Sequence, residues 1–328
     1  MKRAQTFGRW LAAVAMCAAA TAQAQLARIE LHSLETRTPT DQEFLLGSSS
    51  ARVDRIAAEL RIPRPGVDRL PAVVLLHGSG GVGPLEDQWA REFAELGYAV
   101  LLVDSFTGRR IVHTRDDQDQ LSRMAGVVDA YRGLELLSNH PRIDANRVVL
   151  MGFSRGGGAT HWSAIKRFRT LWGPKAPMNF AAFIAMYPTC NRRFIDGDDV
   201  LDRPVRIFHG AADDYIPVAE CRAYADRQAK AGRDVQLREF AAAHHVFDNK
   251  MLPASVKLAQ AQTTRNCPLV EEKPDGRLYD SGTGKVFSYA TDPCVERGTT
   301  VGYDATAHAQ TQAAIRALLS DVFKAGQK

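Results

Sequence analysis

Short apolar segments alternate with amphipathic segments along most of this chain. Ala72–Leu76 is apolar at every position, which is typical of a parallel strand buried on both faces of a sheet. Glu86–Leu96 instead places Trp89 and Phe93 on one face at helical spacing. Gly97 follows as a helix stop, so this segment is predicted to be a helix between two strands.

The same patterns predict further elements as far as the C-terminus. Further strands are predicted at Arg28–Ser33, Arg52–Ile62, Tyr98–Val103, Val148–Met151, Phe180–Met186, Val205–His209 and Val235–Phe240. Further helices are predicted at Leu121–Ser138, Gly156–Phe168, Pro217–Ala231 and Ala305–Phe323. Alternating strands and helices indicate one α/β domain, with a mostly parallel central sheet and helices on both faces. Residues 252–303, which are rich in Gly, Pro, Asp and Thr, are predicted to be irregular.

The first 24 residues have the pattern of an export signal. Three basic residues precede the apolar run Trp10–Ala20, which is about half of the ~20 residues that a membrane span needs. Small residues at Ala22 and Ala24 fit a cleavage site. We expect a mature domain of residues 25–328, without membrane insertion, in the periplasm or secreted. An uncleaved membrane anchor is the alternative.

Composition and charge favour a globular protein and give no indication of a nucleic-acid partner. The chain has 328 residues, 45% of them hydrophobic and 24% charged, which suits a sizeable core. Cleavage would remove three basic residues and no acids, which lowers the net charge from +5 to +2. Arg109-Arg110 and Arg192-Arg193 are isolated pairs, so no nucleic-acid partner is predicted. The oligomeric state stays open.

Four cysteines remain once Cys17 leaves with the signal. An even number in an exported chain indicates two disulfides, and four cysteines allow three connectivities. We favour Cys190–Cys221 and Cys267–Cys294, because the first pair lies on two loops at one end of the sheet and the second brackets the irregular segment. Four buried free thiols are the alternative, and the spacings do not resemble a zinc site.

Ser154 is the strongest candidate for a catalytic residue. It lies in Gly-Phe-Ser-Arg-Gly, directly after the predicted strand Val148–Met151 and before a predicted helix. Gly152 and Gly156 lack the Cβ that would obstruct a tight strand-to-helix turn, as the nucleophile elbow of α/β hydrolases requires. The sequence therefore predicts a serine hydrolase with Ser154 as its nucleophile.

A carboxylate and a histidine follow later strands in the order that this chemistry needs. Asp213 comes shortly after Val205–His209, and Asp214 beside it is the alternative. His245 follows the last predicted strand, and His244 is its alternative. Ser, Asp and then His is the chain order of the α/β-hydrolase triad. We favour His245 as the general base and Asp213 as the group that orients it.

Two backbone N–H groups are needed to stabilise the oxyanion of the tetrahedral intermediate. One should belong to Arg155, which follows the nucleophile, and the other to the loop His77–Gly81. Ser79 is our choice in that loop, with Gly80 as the alternative. The loop lacks the Gly-Lys-Ser/Thr ending of a phosphate loop, so no nucleotide is predicted. The proposed chemistry needs no metal and no organic cofactor.

Together these residues resemble the dienelactone hydrolase family of α/β hydrolases. The similarity extends from about Arg52 to Asp248 and includes the final helix. It rests on five segments: Val73–Gly81, Val103–Phe106, Arg147–Gly157, Gly210–Pro217 and His244–Asp248. By position, the resemblance implies an α/β-hydrolase fold with nucleophile Ser154, the same base and orienting carboxylate, and an oxyanion donor at Ser79.

The chain departs from the family pattern at three places. Serine replaces the cysteine nucleophile of dienelactone hydrolase itself, the acidic partner of that cysteine falls at about Gly78, and the arginine that grips the lactone falls near Gly108. That enzyme is also cytoplasmic. The differences favour a serine carboxylic-ester hydrolase that acts on small-molecule esters or lactones outside the cytoplasm.

Two loops are expected to lie over the site, residues 106–120 and part of 252–303. Phe106 and Arg109 are candidate substrate contacts. Arg109, Arg115 and two neighbouring basic residues could attract an anionic substrate, and solvated surface is the alternative. A prolyl-oligopeptidase-like peptidase or amidase shares the triad order, although no propeller domain is evident. A secreted binding protein with a vestigial triad is the remaining alternative.

Overall fold

The computed structural model describes residues 26–326, so the predicted export signal lies outside the described residues. The strands within them are β1 (Arg28–Thr38), β2 (Arg52–Ile62), β3 (Leu70–Leu76), β4 (Ala99–Asp104), β5 (Ile143–Phe153), β6 (Phe183–Met186), β7 (Arg192–Arg193), β8 (Val205–Gly210), β9 (Val235–Phe240), β10 (Val256–Thr263), β11 (Val270–Glu272), β12 (Leu278–Asp280) and β13 (Glu296–Val301). The α-helices are α1 (Asp41–Leu45), α2 (Pro84–Glu95), α3 (Ala125–Ser138), α4 (Arg155–Trp162), α5 (Lys166–Trp172), α6 (Ala219–Lys230) and α7 (Ala305–Ala325).

The central sheet has eight strands in the order β1-β2-β4-β3-β5-β6-β8-β9. β2 pairs antiparallel with both β1 and β4. Every other neighbouring pair in this sheet is parallel, which confirms the predicted α/β-hydrolase architecture. Loops at the carboxyl ends of parallel strands meet at one edge of such a sheet. β5, β8 and β9 therefore bring the candidate catalytic loops together.

Alternate residues of the central strands pack against helices on opposite faces of the sheet. Val73 and Leu75 of β3 belong to an apolar cluster with residues of α2 and α7. Val74 and Leu76 belong to a second cluster with residues of α3, α4, α5 and α6. A strand covered on both faces must be apolar at nearly every position, which explains the continuous apolar run in the sequence.

The helix predicted at Gly156–Phe168 is wrong as a single element. α4 ends at Trp162, and α5 begins at Lys166. Between them, Ile165 is extended and forms a β-bridge with Val200. That pairing uses backbone groups that a continuous helix would need, so tertiary contacts override the local helical pattern.

The prediction that residues 252–303 are irregular is also wrong in part. β10 and β13 form an antiparallel pair, and β11 joins β12 and β7 in a small three-stranded sheet. Leu258 and Val301 of this segment pack with Tyr215 in an apolar cluster. The pairing partner of β10 lies about forty residues along the chain, so it leaves no local pattern. β11 and β12 have three residues each, which is too short to show an alternating pattern.

Both disulfides have the connectivity that the sequence favours. Cys190–Cys221 joins the loop after β6 to α6, and Cys267–Cys294 closes the segment between β10 and β13. The Cα atoms of the two pairs are 5.0 and 4.8 Å apart, within the range that disulfides require. In residues 26–326, no helix has both the length and the apolar character needed to cross a membrane.

Candidate active site

Ser154 occupies a sharp turn between β5 and α4, with φ of 52° and ψ of −110°. Glycine is required on both sides of this turn. A Cβ at Gly152 would lie 2.3 Å from the carbonyl oxygen of Gly156, and a Cβ at Gly156 would lie 2.4 Å from that of Leu76. The two glycines therefore allow β5 and α4 to approach closely enough to form the elbow.

The structure brings Ser154, His245 and Asp213 into one hydrogen-bonded chain. His245 Nε2 lies 2.9 Å from Ser154 Oγ, and His245 Nδ1 lies 2.7 Å from Asp213 Oδ2. A carboxylate can only accept, so Nδ1 carries the ring proton and Nε2 is free to accept the serine proton. The arrangement can perform acyl transfer through a serine nucleophile.

The two rival residues are bonded elsewhere. The Asp214 carboxylate accepts the Thr300 N–H at 2.6 Å and the Thr300 hydroxyl at 2.9 Å. His244 Nδ1 lies 3.0 Å from the carbonyl oxygen of Ala212. Neither side chain joins the chain from Ser154, so the geometry favours Asp213 and His245 for the two roles.

Asp213 is held in its ionised form although it is buried. Burial by itself would raise its pKa, but the adjacent His245 ring and the backbone N–H of Ile216 hold the pKa below its usual value. Asp213 Oδ1 accepts the N–H groups of Tyr215 and Ile216 at 2.9 and 2.8 Å. The carboxylate is thus fixed by the backbone on one oxygen and binds the imidazole through the other.

The predicted oxyanion donors border the nucleophile from two sides. Arg155 is the first residue of α4, and the N–H groups of a first helical turn have no acceptor within the helix. On the other side, the backbone of Gly78 lies so close that an added Cβ would be 3.5 Å from Ser154 Cβ. Ser79 follows it and lines the same cavity as Ser154.

His77 fixes the peptide group that carries the Ser79 N–H. The Ser105 N–H donates to His77 Nε2 at 3.1 Å, so the ring proton is on Nδ1, which donates to the carbonyl oxygen of Gly78 at 2.7 Å. In a trans peptide the C=O and N–H point in opposite directions. This bond therefore directs the Ser79 N–H away from His77.

A cavity of about 300 Å³ opens beside Ser154 and His245. Its walls are mainly apolar and come from α2, the His245 loop and residues 252–303: Pro84, Leu85, Val246, Leu252, Leu258 and Val301. Arg115, Glu86 and Asn249 add polar groups. The cavity is large enough for a small ester and offers apolar surface to its acyl or alcohol part.

The predicted substrate contact at Phe106 is wrong. Its side chain is buried in a small cluster with Leu121 and Ala125, and its ring packs against His77 at a centroid distance of 4.4 Å. Phe106 therefore packs against the loop His77–Gly81 and does not line the cavity beside Ser154.

The predicted substrate contact at Arg109 is wrong as well. Its guanidinium forms a bidentate pair with the Asp129 carboxylate, at 2.7 and 2.9 Å, and donates to Thr38 Oγ1 at 2.6 Å. The Arg109 and Asp129 side chains are only 1% and 0% exposed. A buried carboxylate attracts the arginine inward, and Arg115 is the arginine of this loop that lines the cavity.

A buried polar group behind His245 was missed by the sequence analysis. Asp248 accepts the Tyr187 hydroxyl at 2.8 Å and the Trp89 indole N–H at 2.7 Å. The Tyr187 ring in turn packs edge-on against His245, with centroids 4.7 Å apart. Burial raises the pKa of Asp248 to about 6, although these two hydrogen bonds oppose the shift. The only sequence signal was an aspartate three residues after the histidine.

Glu86 is a second buried acid, and unlike Asp248 it lines the cavity, near the start of α2. Burial raises its pKa to about 7, while the N–H of Gly83, which its carboxyl accepts at 2.9 Å, opposes that rise. The spacing of these two residues is that of a helix capping box. This spacing can be read from the sequence, but it indicates only where a helix begins. It does not indicate that Glu86 lines the cavity.

β13 fixes the loop that carries His245. His245 forms a parallel β-bridge with Val301, and the Gly302 N–H donates to the His245 carbonyl at 3.1 Å. The preceding residue, Thr300, binds Asp214 as described above. Residues 252–303 therefore hold the loop that carries His245 and the loop that carries Asp213 and Asp214. No local sequence pattern indicated this role.

Backbone strain is concentrated at this site. Within residues 26–326, five non-glycine residues have positive φ, and three of them line the cavity. These are Ser154 at 52°, Tyr187 at 37° and Val246 at 60°. Such conformations persist where surrounding contacts impose them, and they cluster at functional sites.

One group of potential metal ligands occurs in the described residues, at Asp280, Asp292 and Cys294. Cys294 is bonded to Cys267, so its sulfur is not available as a thiolate ligand. The remaining pair of carboxylates gives no basis for a metal centre. The group also lies outside the residues that line the cavity.

Comparison with known proteins gives a family match and a fold match. The model of the dienelactone hydrolase family matches residues 56–267. A dienelactone hydrolase-like promiscuous phosphotriesterase from metagenomic libraries is 19% identical, with a TM-score of 0.56, and covers 90% of this chain and 98% of its own. A structure named m3DLH has the same identity and coverages with a TM-score of 0.54. No curated protein matches the chain.

Proposed function

The chain belongs to the dienelactone hydrolase family, and from this premise we propose that it is a serine carboxylic-ester hydrolase. It would cleave small-molecule esters or lactones through an acyl-enzyme on Ser154. The hydrogen-bonded chain from Ser154 through His245 to Asp213 carries the proposal, because it joins a nucleophile, a base and an orienting carboxylate.

In the first half of the proposed reaction, Ser154 Oγ attacks the ester carbonyl carbon while His245 Nε2 takes the serine proton. The N–H groups of Ser79 and Arg155 donate to the resulting oxyanion. The intermediate then collapses, the bond to the alcohol oxygen breaks, and His245 gives its proton to the departing alcohol. The acyl group remains on Ser154 as an ester.

In the second half, water takes the place of the alcohol. His245 accepts a proton from that water as it attacks the acyl carbon, and the same two N–H groups stabilise the second oxyanion. Collapse releases the carboxylic acid and returns the proton to Ser154. Asp213 keeps the imidazole in the tautomer that both halves need. No metal or organic cofactor takes part.

We further propose that residues 25–328 form a single domain that works in the periplasm or as a secreted protein. Two disulfides support an oxidising compartment, because such bonds are rare in the reducing cytosol. N-terminal sequencing of the exported protein tests this proposal. A mature chain that begins at Gln25 supports it, and retention of the first 24 residues contradicts it.

Covalent trapping tests the assignment of the nucleophile. A fluorophosphonate probe is expected to label the native protein, and mass spectrometry should place the adduct on Ser154. Ser79, the other serine that lines the cavity, serves as the internal control and should stay unmodified. Labelling should stop after heat denaturation, because reactivity depends on His245 and the oxyanion donors. An unlabelled native protein contradicts the hydrolase and favours a binding protein.

Arg115 gives a prediction about substrate charge, because it is the exposed arginine at the cavity. Arg115→Gln is expected to lower kcat/KM for carboxylate-bearing p-nitrophenyl esters by about threefold to fivefold, the upper part of the range of a solvent-screened ion pair. Neutral esters of equal size should change by less than about twofold. Arg110→Gln, a variant of an exposed arginine outside the cavity, is the control. Equal losses for both ester classes would rule out recognition of the substrate charge by Arg115.

A further inference from the structure

A buried amide connects the side chains of the two residues assigned to the oxyanion hole. Gln118 Oε1 accepts a guanidinium N–H from Arg155 at 2.8 Å, and Gln118 Nε2 donates to Ser79 Oγ at 3.2 Å. The same guanidinium also donates to the backbone carbonyl of Gln118 at 3.1 Å. Gln118 is only 1% exposed, so bulk water does not compete for these bonds.

We propose that Gln118 is a positioning residue that sets the separation of the two oxyanion N–H groups. It does not touch substrate in this scheme, and it acts through the side chains of Ser79 and Arg155. The inference rests on the proposed function, because it assumes that the backbone N–H groups of those residues bind the oxyanion.

The two oxyanion residues differ in how firmly the backbone holds them. Arg155 belongs to a helix, whereas Ser79 lies between Gly78 and Gly80, whose backbones have wide conformational freedom. Donors must lie about 2.7–3.1 Å from the oxyanion to be effective. His77 restrains the Gly78–Ser79 peptide group from one side, and a tether from Arg155 through Gln118 to Ser79 adds a restraint that links the two donors to each other.

Gln118 is itself held in place by residues 252–303. Its backbone N–H donates to Gln262 Oε1 at 2.7 Å, and the Gln262 N–H donates to the Arg115 carbonyl at 2.8 Å. The loop that carries Gln118 is also bonded directly to the Ser79 backbone, because the Ser79 carbonyl accepts the Thr114 N–H at 2.9 Å. β10, which contains Gln262, is thus connected to Gln118, while its partner β13 contacts the loops of Asp214 and His245.

A pair of near-isosteric variants tests the proposal in the full-length protein. Gln118→Met removes both side-chain bonds, whereas the carboxylate introduced by Gln118→Glu can accept from Arg155 and from the Ser79 hydroxyl. We expect Gln118→Met to lower kcat per active site by about tenfold, with KM changed by less than about twofold. Gln118→Glu should retain most of the activity. Active sites are counted by titration with a fluorophosphonate.

Two further measurements separate positioning from a general loss of structure. Affinity for a boronic acid, which forms a tetrahedral adduct on the serine, should fall in Gln118→Met in parallel with kcat. The pH profile should not move, because Gln118 contacts neither His245 nor Asp213. If Gln118→Met does not fold, Ser79→Ala replaces it, since it keeps the backbone N–H and loses only the hydroxyl. We expect that variant to lower kcat by about threefold.

The outcomes distinguish this inference from the proposed function. The inference is overturned if kcat per titrated site changes by less than about twofold in Gln118→Met, or in Ser79→Ala where that variant replaces it. An equal loss in Gln118→Glu and Gln118→Met also overturns it, and in both cases the proposed function stands. A wild-type protein that neither hydrolyses esters nor reacts with the probe overturns both.

Discussion

Ser154→Ala and His245→Ala are each expected to lower kcat for ester hydrolysis by about 10⁵- to 10⁶-fold. The double variant should be no slower than either single variant, because the two residues transfer one proton as a unit. His245 Nε2 lies 2.9 Å from Ser154 Oγ, so losing either group removes the same step. Residual hydrolysis should remain above the rate in buffer, since the Ser79 and Arg155 N–H groups are retained.

Asp213→Asn is expected to lower kcat less, by about 10⁴-fold. An amide in this position can donate to His245 Nδ1, which stabilises the tautomer that has its proton on Nε2 and cannot accept from Ser154. Asp214→Asn is the matched control, because Asp214 is adjacent in sequence but binds Thr300. Its kcat should fall by less than about tenfold.

Steady-state kinetics on p-nitrophenyl butyrate measures the whole series, with circular dichroism to verify folding. Additive losses in the double variant would show that Ser154 and His245 do not act in one step. Equal losses in Asp213→Asn and Asp214→Asn would show that this loop matters for structure and not for the His245 tautomer. Either result contradicts the assigned roles.

The residues of the triad could be predicted because their signals are local. An apolar strand followed by glycines on both sides of a serine indicates the elbow, and the chain order Ser, Asp, His narrows the other two roles to Asp213 or Asp214 and to His244 or His245. The central strands of the sheet could be predicted for a similar reason, since buried parallel strands are apolar at nearly every position, whereas β1, β2 and β9 show partial alternation instead. These features depend on neighbouring residues or on periodicity.

The groups around the triad could not be predicted because their partners are distant in the chain. Gln118 and Gln262 are 144 positions apart, and Arg109 and Thr38 are 71 positions apart. An arginine in a loop has the same local pattern whether it faces a substrate or a buried carboxylate. The prediction for Arg109 therefore failed on a tertiary contact that its own sequence neighbourhood does not encode.

The structure gives Arg109 a purely structural role, and the expected effect of removing it is large. Arg109→Met should lower the free energy of unfolding by about 3–5 kcal/mol, because it leaves the Asp129 carboxylate buried without its partner. Only the Thr36 hydroxyl, which donates to Asp129 Oδ1 at 2.7 Å, would remain to stabilise that charge. Urea denaturation with the disulfides intact measures the change.

A double variant separates the loss of the ion pair from the loss of packing. Arg109→Met combined with Asp129→Leu should recover much of the stability, because no charge is left buried and the side chains that replace the pair are apolar. Arg222→Met is the matched control. Arg222 also forms a bidentate pair, with Glu239 at 2.8 and 2.6 Å, but it is exposed to solvent. Its removal should leave the unfolding midpoint nearly unchanged.

The single variant Arg109→Met also separates an effect on stability from an effect on substrate recognition. Arg109→Met should keep the wild-type ratio of kcat/KM between carboxylate-bearing and neutral esters at temperatures where it is folded, because the guanidinium faces Asp129 and not the cavity. If Arg109→Met had the unfolding midpoint of the wild type but lost activity selectively on anionic esters, Arg109 would be a substrate contact. The structural role assigned to it would then be wrong. Loss of stability with unchanged selectivity would instead place Arg109 in the core that joins β1, α3 and the loop after β4.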